Sequence, residues 1–120
     1  MRQHRVFIDR PEAKGGLDRG PMGGEMLLLA LGGCFMSNLI AAAAARNIIV
    51  NDLRVVVRGE LGSAPPRFEA ATLEVYGQCS DEDAMQKLIE IAERSCIVHN
   101  TLKGSVKLDV RRVRPGTVST

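Results

Sequence analysis

The stretch Met26-Leu27-Leu28-Leu29-Ala30-Leu31-Gly32-Gly33-Cys34-Phe35-Met36-Ser37-Asn38-Leu39-Ile40, followed by five alanines at 41–45, decides the fold. Among these 20 residues only Ser37 and Asn38 carry polar side chains, and the alanine run has high helix propensity. A helix apolar on every face must be surrounded, either by lipid or by protein. About 20 apolar residues is also the length that spans a bilayer, which makes a membrane span the first rival reading. Gly32-Gly33, Cys34, Ser37-Asn38 and the small alanines leave the stretch only weakly hydrophobic, and its flanks show no strong positive-charge asymmetry. The rest of the chain reads as a sheet in need of a central helix to cover it. Residues 26–46 are therefore expected to form a buried core helix, with no membrane partner.

On the N-terminal side, residues 4–9 (His4, Arg5, Val6, Phe7, Ile8, Asp9) are apolar and β-branched enough for a strand. Residues 14–21 hold three Gly and a Pro and must be a loop. On the C-terminal side, residues 53–61 read as a strand ended by Gly62 and Pro65-Pro66. Residues 67–78 read as its hairpin partner, with the loop near 62–66. A second helix follows. Ser80 is its expected cap with Asp83 three residues on, and Asp81, Glu82 and Asp83 sit where the helix dipole favours acids. Met85, Leu88, Ile89, Ala92 and Cys96 follow the i, i+3, i+4, i+7, i+11 stripe of an amphipathic helix. This places Cys96 on the buried face at the helix's C-terminal end. Residues 105–111 alternate strictly and read as a strand with one wet face, and residues 114–120 as a frayed tail.

With 120 residues the chain is expected to be a single domain, 1–120. A hydrophobic content of 45% with nearly balanced charges, 16 Lys+Arg against 14 Asp+Glu, disfavours disorder. Aromatics at 3% argue against base-stacking platforms and a net charge of +2 gives little attraction to phosphate, so no nucleic-acid partner is expected. The glycines at 15, 16, 20, 23 and 24 lack the spacing of a phosphate-binding loop. Zinc would need about four ligands, and Cys96-Ile97-Val98-His99 is a lone pair, so no metal is expected. A Cys–His hydrolase has His4 and His99 as candidate bases, yet nothing places either beside Cys34. The odd cysteine count, three, without a signal-peptide pattern after Met1, fits a reducing cytoplasm. A single buried Cys reads as a small hydrophobe; two, on two core helices, shift the balance towards chemistry.

Three blocks carry a resemblance: Gly15-Gly16-Leu17-Asp18-Arg19-Gly20-Pro21, Glu25-Met26-Leu27-Leu28-Leu29-Ala30-Leu31-Gly32-Gly33-Cys34, and Ala92-Glu93-Arg94-Ser95-Cys96-Ile97-Val98-His99-Asn100-Thr101-Leu102. Together they resemble the OsmC/Ohr family of osmotically inducible and organic-hydroperoxide-resistance proteins, over residues 5–113, with 61 residues between the two cysteines. The resemblance implies an α+β fold, an intertwined homodimer in which two long central helices are wrapped by antiparallel sheets. A second chain would also explain a helix apolar all round, since it covers the face that a short sheet cannot.

The activity that the resemblance implies is thiol-dependent reduction of organic hydroperoxides, with no cofactor. Cys34 would be the peroxidatic nucleophile and Cys96 the resolving thiol, with an external dithiol, in the family a lipoylated protein, as reductant. Burial raises a thiol's pKa, so a cation is expected beside Cys34. Arg19 is the first candidate, with Arg5 and Arg10 behind it. The family's Glu lies ten residues before the nucleophile, where this chain has Gly24; its acid is Glu25, nine before, on the opposite side of a continuous helix and about 13 Å away along the axis. The usual Pro of this block is replaced around Gly23-Gly24, which is expected to loosen the loop. The usual Pro after the second cysteine is Ile97, and Cys79 matches no family position. The alternative is a non-catalytic OsmC-like domain that binds an apolar small molecule or a protein partner and keeps its cysteines for packing.

Overall fold

The computed structural model describes residues 2–114. The long apolar stretch forms one continuous helix, α1, Gly23–Ala45. It starts three residues earlier than expected, so Gly23 and Gly24 make its first turn rather than a loosened loop. Met22 has no capping hydroxyl or carboxylate; instead the Glu25 carboxylate accepts from the Met22 backbone N–H at 2.9 Å and satisfies one of the orphan donors.

Two long strands follow, β1 (Asn51–Gly62) and β2 (Arg67–Gln78), paired as the expected antiparallel hairpin with Val55 opposite Val75 and Val57 opposite Leu73. Helix α2 is Glu82–Ser95. Its cap is Asp81 and not Ser80: the Asp81 Oδ1 accepts from the N–H groups of Asp83 and Ala84 at 2.9 and 3.2 Å. A carboxylate answers the positive helix end better than a hydroxyl does. Cys96 then takes an extended conformation and begins a short helix, α3 (Ile97–Leu102), which the apolar stripe did not foretell. The last strand, β3 (Lys107–Arg112), alternates between exposed and half-buried, as its sequence predicts.

The sheet has the order β1-β2-β3, with β3 parallel to β2. An all-antiparallel sheet was expected. The difference arises because α2 and α3 fill the connection from β2 to β3 and carry the chain back to the starting end of the sheet, as a parallel crossover requires. Leu31, Phe35 and Leu39 of α1 are fully buried with Leu73 and Val75 of β2 and with Met85, Leu88 and Cys96. Burying each large apolar side chain contributes about 1.5–3 kcal/mol.

Two features of α1 and of the N-terminal arm depart from expectation. Residues 4–9 form no strand: the Asp9 N–H donates to the Pro21 carbonyl at 3.0 Å, but among the described residues no strand pairs with the arm. Val6, Phe7 and Ile8 remain exposed, and the radius of gyration, 16.0 Å, exceeds the roughly 13.5 Å of a compact chain of this length. Within one chain α1 is buried along one stripe only: about a third of its most apolar window is covered, and by length and hydropathy alone the helix is long enough to cross a membrane.

Candidate active site

Cys34 lies midway along α1, half-buried, on the side that meets α2 and α3. The break between α2 and α3 brings Cys96 to it. With φ −74° and ψ 111°, Cys96 ends one helix and caps the next, its sulfur accepting from the His99 N–H at 3.4 Å. The start of α3 therefore lies against Cys34, with Val98, the Cys96 thiol and Ile97 among the groups that act on its sulfur.

The two thiols respond in opposite ways. Burial pushes the Cys34 thiol up, but hydrogen bonds from the Val98 N–H, the Cys96 thiol and the Ile97 N–H together outweigh it and leave Cys34 below the ordinary thiol value. Burial also raises Cys96, whose bond from His99 only partly offsets it, and the neighbouring Cys34 raises it further. Cys34 is thus the readier of the two sulfurs to ionise.

The expected cation is not among the groups acting on Cys34 within the described residues; backbone amides do that work. The Arg19 guanidinium lies 3.7 Å from the Asp9 carboxylate, well exposed, in the loop before α1. Asp9 organises that loop, accepting from the N–H groups of Arg10, Leu17 and Arg19 at 2.8–3.2 Å. Glu25 caps α1, and the continuous helix keeps it nine residues and about 13 Å from Cys34, on the opposite face. It stands at an apolar groove of about 480 Å³ between α1 and β1, lined by Leu28, Leu29, Met36, Val55 and Val57 and not by Cys34.

The remaining candidates separate from the thiol pair. His4 is exposed in the N-terminal arm. His99, the other candidate base, is buried within α3, its Nε2 3.2 Å from Glu93 Oε2. Cys79 is half-buried beside the α2 cap, its thiol donating to the Asp81 carbonyl at 3.4 Å. Asn38 escaped the sequence reading as a site residue, although its polarity in an apolar helix was the available signal. Among the described residues no three of His, Cys, Asp and Glu gather as a metal site requires.

The profile of the family described as OsmC-like protein matches residues 15–111. The chain belongs to the OsmC-like family. Solved structures repeat its fold. An OsmC-like protein from Mycoplasma pneumoniae superposes with a TM-score of 0.82 at 23% identity, covering 94% of this chain and 84% of that one. A putative osmotic stress induced and detoxification response protein from Psychrobacter arcticus gives 0.81 at 15%, covering 92% and 80%. The organic hydroperoxide resistance protein OhrB of Bacillus subtilis gives 0.70 at 20%, covering 87% and 78%. No sequence among curated proteins matches this chain. These superpositions take in 87–94% of this chain, so its fold is that of the OsmC-like structures.

Proposed function

We propose that this OsmC-like protein is a cysteine-based peroxidase that reduces organic hydroperoxides in a reducing cytoplasm. The observation that carries this reading is the pairing of Cys34 and Cys96, with the first thiol lowered and the second raised. Family membership and the hydroperoxide-resistance name of a fold neighbour support a peroxide-related role.

In the proposed cycle the Cys34 thiolate attacks the terminal oxygen of the hydroperoxide. The O–O bond breaks, the alkoxide leaves with its electron pair and takes a proton to become the alcohol, and Cys34 is left as a sulfenic acid. The Cys96 sulfur then attacks the Cys34 sulfur; hydroxide leaves, takes the Cys96 proton and departs as water, and a disulfide closes. An external dithiol, such as a protein-bound lipoyl group, reduces it by thiol–disulfide exchange and is itself oxidised.

The working unit in this proposal is a homodimer. A second copy would cover the exposed face of α1 and the apolar N-terminal arm. Arg19 lies in the loop that follows the arm, so in this proposal the same assembly is a route by which a cation reaches the thiol site. Glu25, as an α1 cap, then acts by setting where that helix begins. A second reading, binding of an apolar small molecule without catalysis, draws on the groove between α1 and β1.

One assay separates the two. Consumption of cumene or tert-butyl hydroperoxide with dihydrolipoamide as reductant is compared in wild type, Cys34→Ser and Cys96→Ser. Turnover is expected to vanish in Cys34→Ser, and Cys96→Ser is expected to accumulate a trappable sulfenic acid. Equal turnover in wild type and Cys34→Ser would remove the peroxidase reading.

A further inference from the structure

The two polar side chains of α1 both turn back on one carbonyl. Ser37 Oγ donates to the Cys34 backbone oxygen at 3.0 Å, and Asn38 Nδ2 donates to the same oxygen at 2.9 Å. A carbonyl can only accept, so the nitrogen of the Asn38 amide, not its oxygen, faces Cys34. That nitrogen carries two hydrogens and lies 3.8 Å from the Cys34 sulfur. The carbonyl is at mid-helix, where the N–H one turn on already serves it. Asn is a poor helix former, and half-burying its amide costs desolvation that an Ala or Leu would avoid. The contact that distinguishes Asn38 from exposed Ser37 is the one to sulfur.

We propose that the Asn38 side-chain amide is a catalytic donor to the Cys34 sulfur, holding its ionised form beside the Cys96 thiol. This rests on Cys34 being the reactive thiol. A neutral thiol is a weak acceptor, which accounts for the length of the contact; a charged sulfur draws the donor in, since charge-assisted bonds are shorter and about twice as strong. The amide thereby supplies in uncharged form part of what a neighbouring cation would supply. It also restrains attack, because a better-held thiolate is a weaker nucleophile.

These two effects give a signature that a packing role does not. Losing one bond to a charged group raises the pH midpoint of Cys34 reactivity by about 1. With thiolate nucleophilicity following basicity with a coefficient of about 0.4–0.5, the variant is about threefold slower well below the midpoint and about threefold faster well above it.

The test is the pH profile of iodoacetamide alkylation of Cys34, followed peptide by peptide by mass spectrometry in the full-length protein. Asn38→Ala is expected to raise the midpoint by about 1 and to show the crossover in rate. Asn38→Asp, nearly isosteric, is expected to raise it further, because a carboxylate repels the thiolate. Ser37→Ala, which removes only a carbonyl contact, is expected to keep the wild-type profile. An unchanged midpoint in Asn38→Ala overturns the proposal, as does an equal shift in Ser37→Ala, which would route the effect through the carbonyl. Alkylation needs no peroxide. A protein with these profiles but no hydroperoxide turnover would therefore lose the peroxidase reading and keep this one.

Discussion

Cys34 and Cys96 are neighbouring thiols whose ionisations move apart: burial opposes both, yet Cys34 falls below the ordinary thiol value while Cys96 rises above it. The asymmetry is positional. Cys34 collects donors from the start of α3, whereas Cys96 is buried against the core and has the prospective negative charge of Cys34 as its neighbour. The pair therefore has an order of ionisation, first at the half-buried thiol.

That order is measurable. At neutral pH iodoacetamide is expected to label Cys34 at least about tenfold faster than Cys96, because thiolate fraction and access both favour it. Cys96→Ala, which removes a donor, is expected to raise the Cys34 midpoint, while Cys96→Ser, whose hydroxyl still donates, is expected to raise it less. Equal labelling of the two thiols in wild type would contradict the asymmetry.

The α2 cap offers a direct stability test. Asp81→Ala removes the acceptor for two backbone N–H groups and is expected to cost about 1 kcal/mol. Ser80→Ala, one residue earlier, is expected to cost a few tenths of a kcal/mol at most. Urea denaturation of the two variants reads the difference, and a larger loss in Ser80→Ala would put the cap where the sequence motif first suggests it.

The cap shows how local patterns were legible to within a residue. β2 spans the residues expected of it, and the Cys96 stripe pointed inward as predicted, because alternation and 3.6-residue periodicity are local properties. α3 was not legible, since the family's proline after the second cysteine would have marked a helix's first position and Ile97 erases that mark. Nor was the contact between Cys34 and Cys96 legible from either helix alone; only the resemblance joined them. The strand expected at residues 4–9 failed for a third reason. Its composition suits a strand, but a strand is a relation to a neighbouring strand, and none of the three described strands pairs with it.

Arg112 links the ends of the sheet to α2. Buried to 8% exposure, its guanidinium meets Glu82 with Nη2 at 2.7 Å and Nε at 3.1 Å, and reaches the carbonyls of Val75, Gly77 and Val113. The hydrogen bonds from Arg112 hold the Glu82 carboxyl below its ordinary value, with burial opposing in part. A depressed carboxyl contributes stability above its unfolded pKa, here 4.5, and loses it as pH falls through the lower folded value. Glu82→Gln is expected to cost about 1–2 kcal/mol at pH 7, moderated by the three carbonyls that still serve Arg112. It is also expected to flatten the fall in stability below about pH 5. Urea midpoints from pH 7 down to 3 test both, and a variant that tracks wild type throughout would show the pair to be idle.

The proposed homodimer makes a separate prediction about α1. Leu29 and Ile40 are 61% and 53% exposed in the single chain, and Phe7 of the arm 64%, although the helix is apolar on every side. Such surface is costly to leave wet at about 25 cal/mol per Å², and a stable interface of about 800 Å² per partner would have to draw on both the helix face and the arm. Sedimentation equilibrium of the wild-type protein is expected to give twice the chain mass. Leu29→Glu with Ile40→Glu is expected to shift it toward the single chain and lower its thermal midpoint, since a charge buried between two copies has no partner there. The equivalent change at exposed Leu61, in β1 beside the hairpin turn, is expected to leave the mass unchanged. A wild-type protein that sediments as one chain at tens of micromolar would leave the apolar face of α1 to some other partner and remove the dimer from the proposed mechanism.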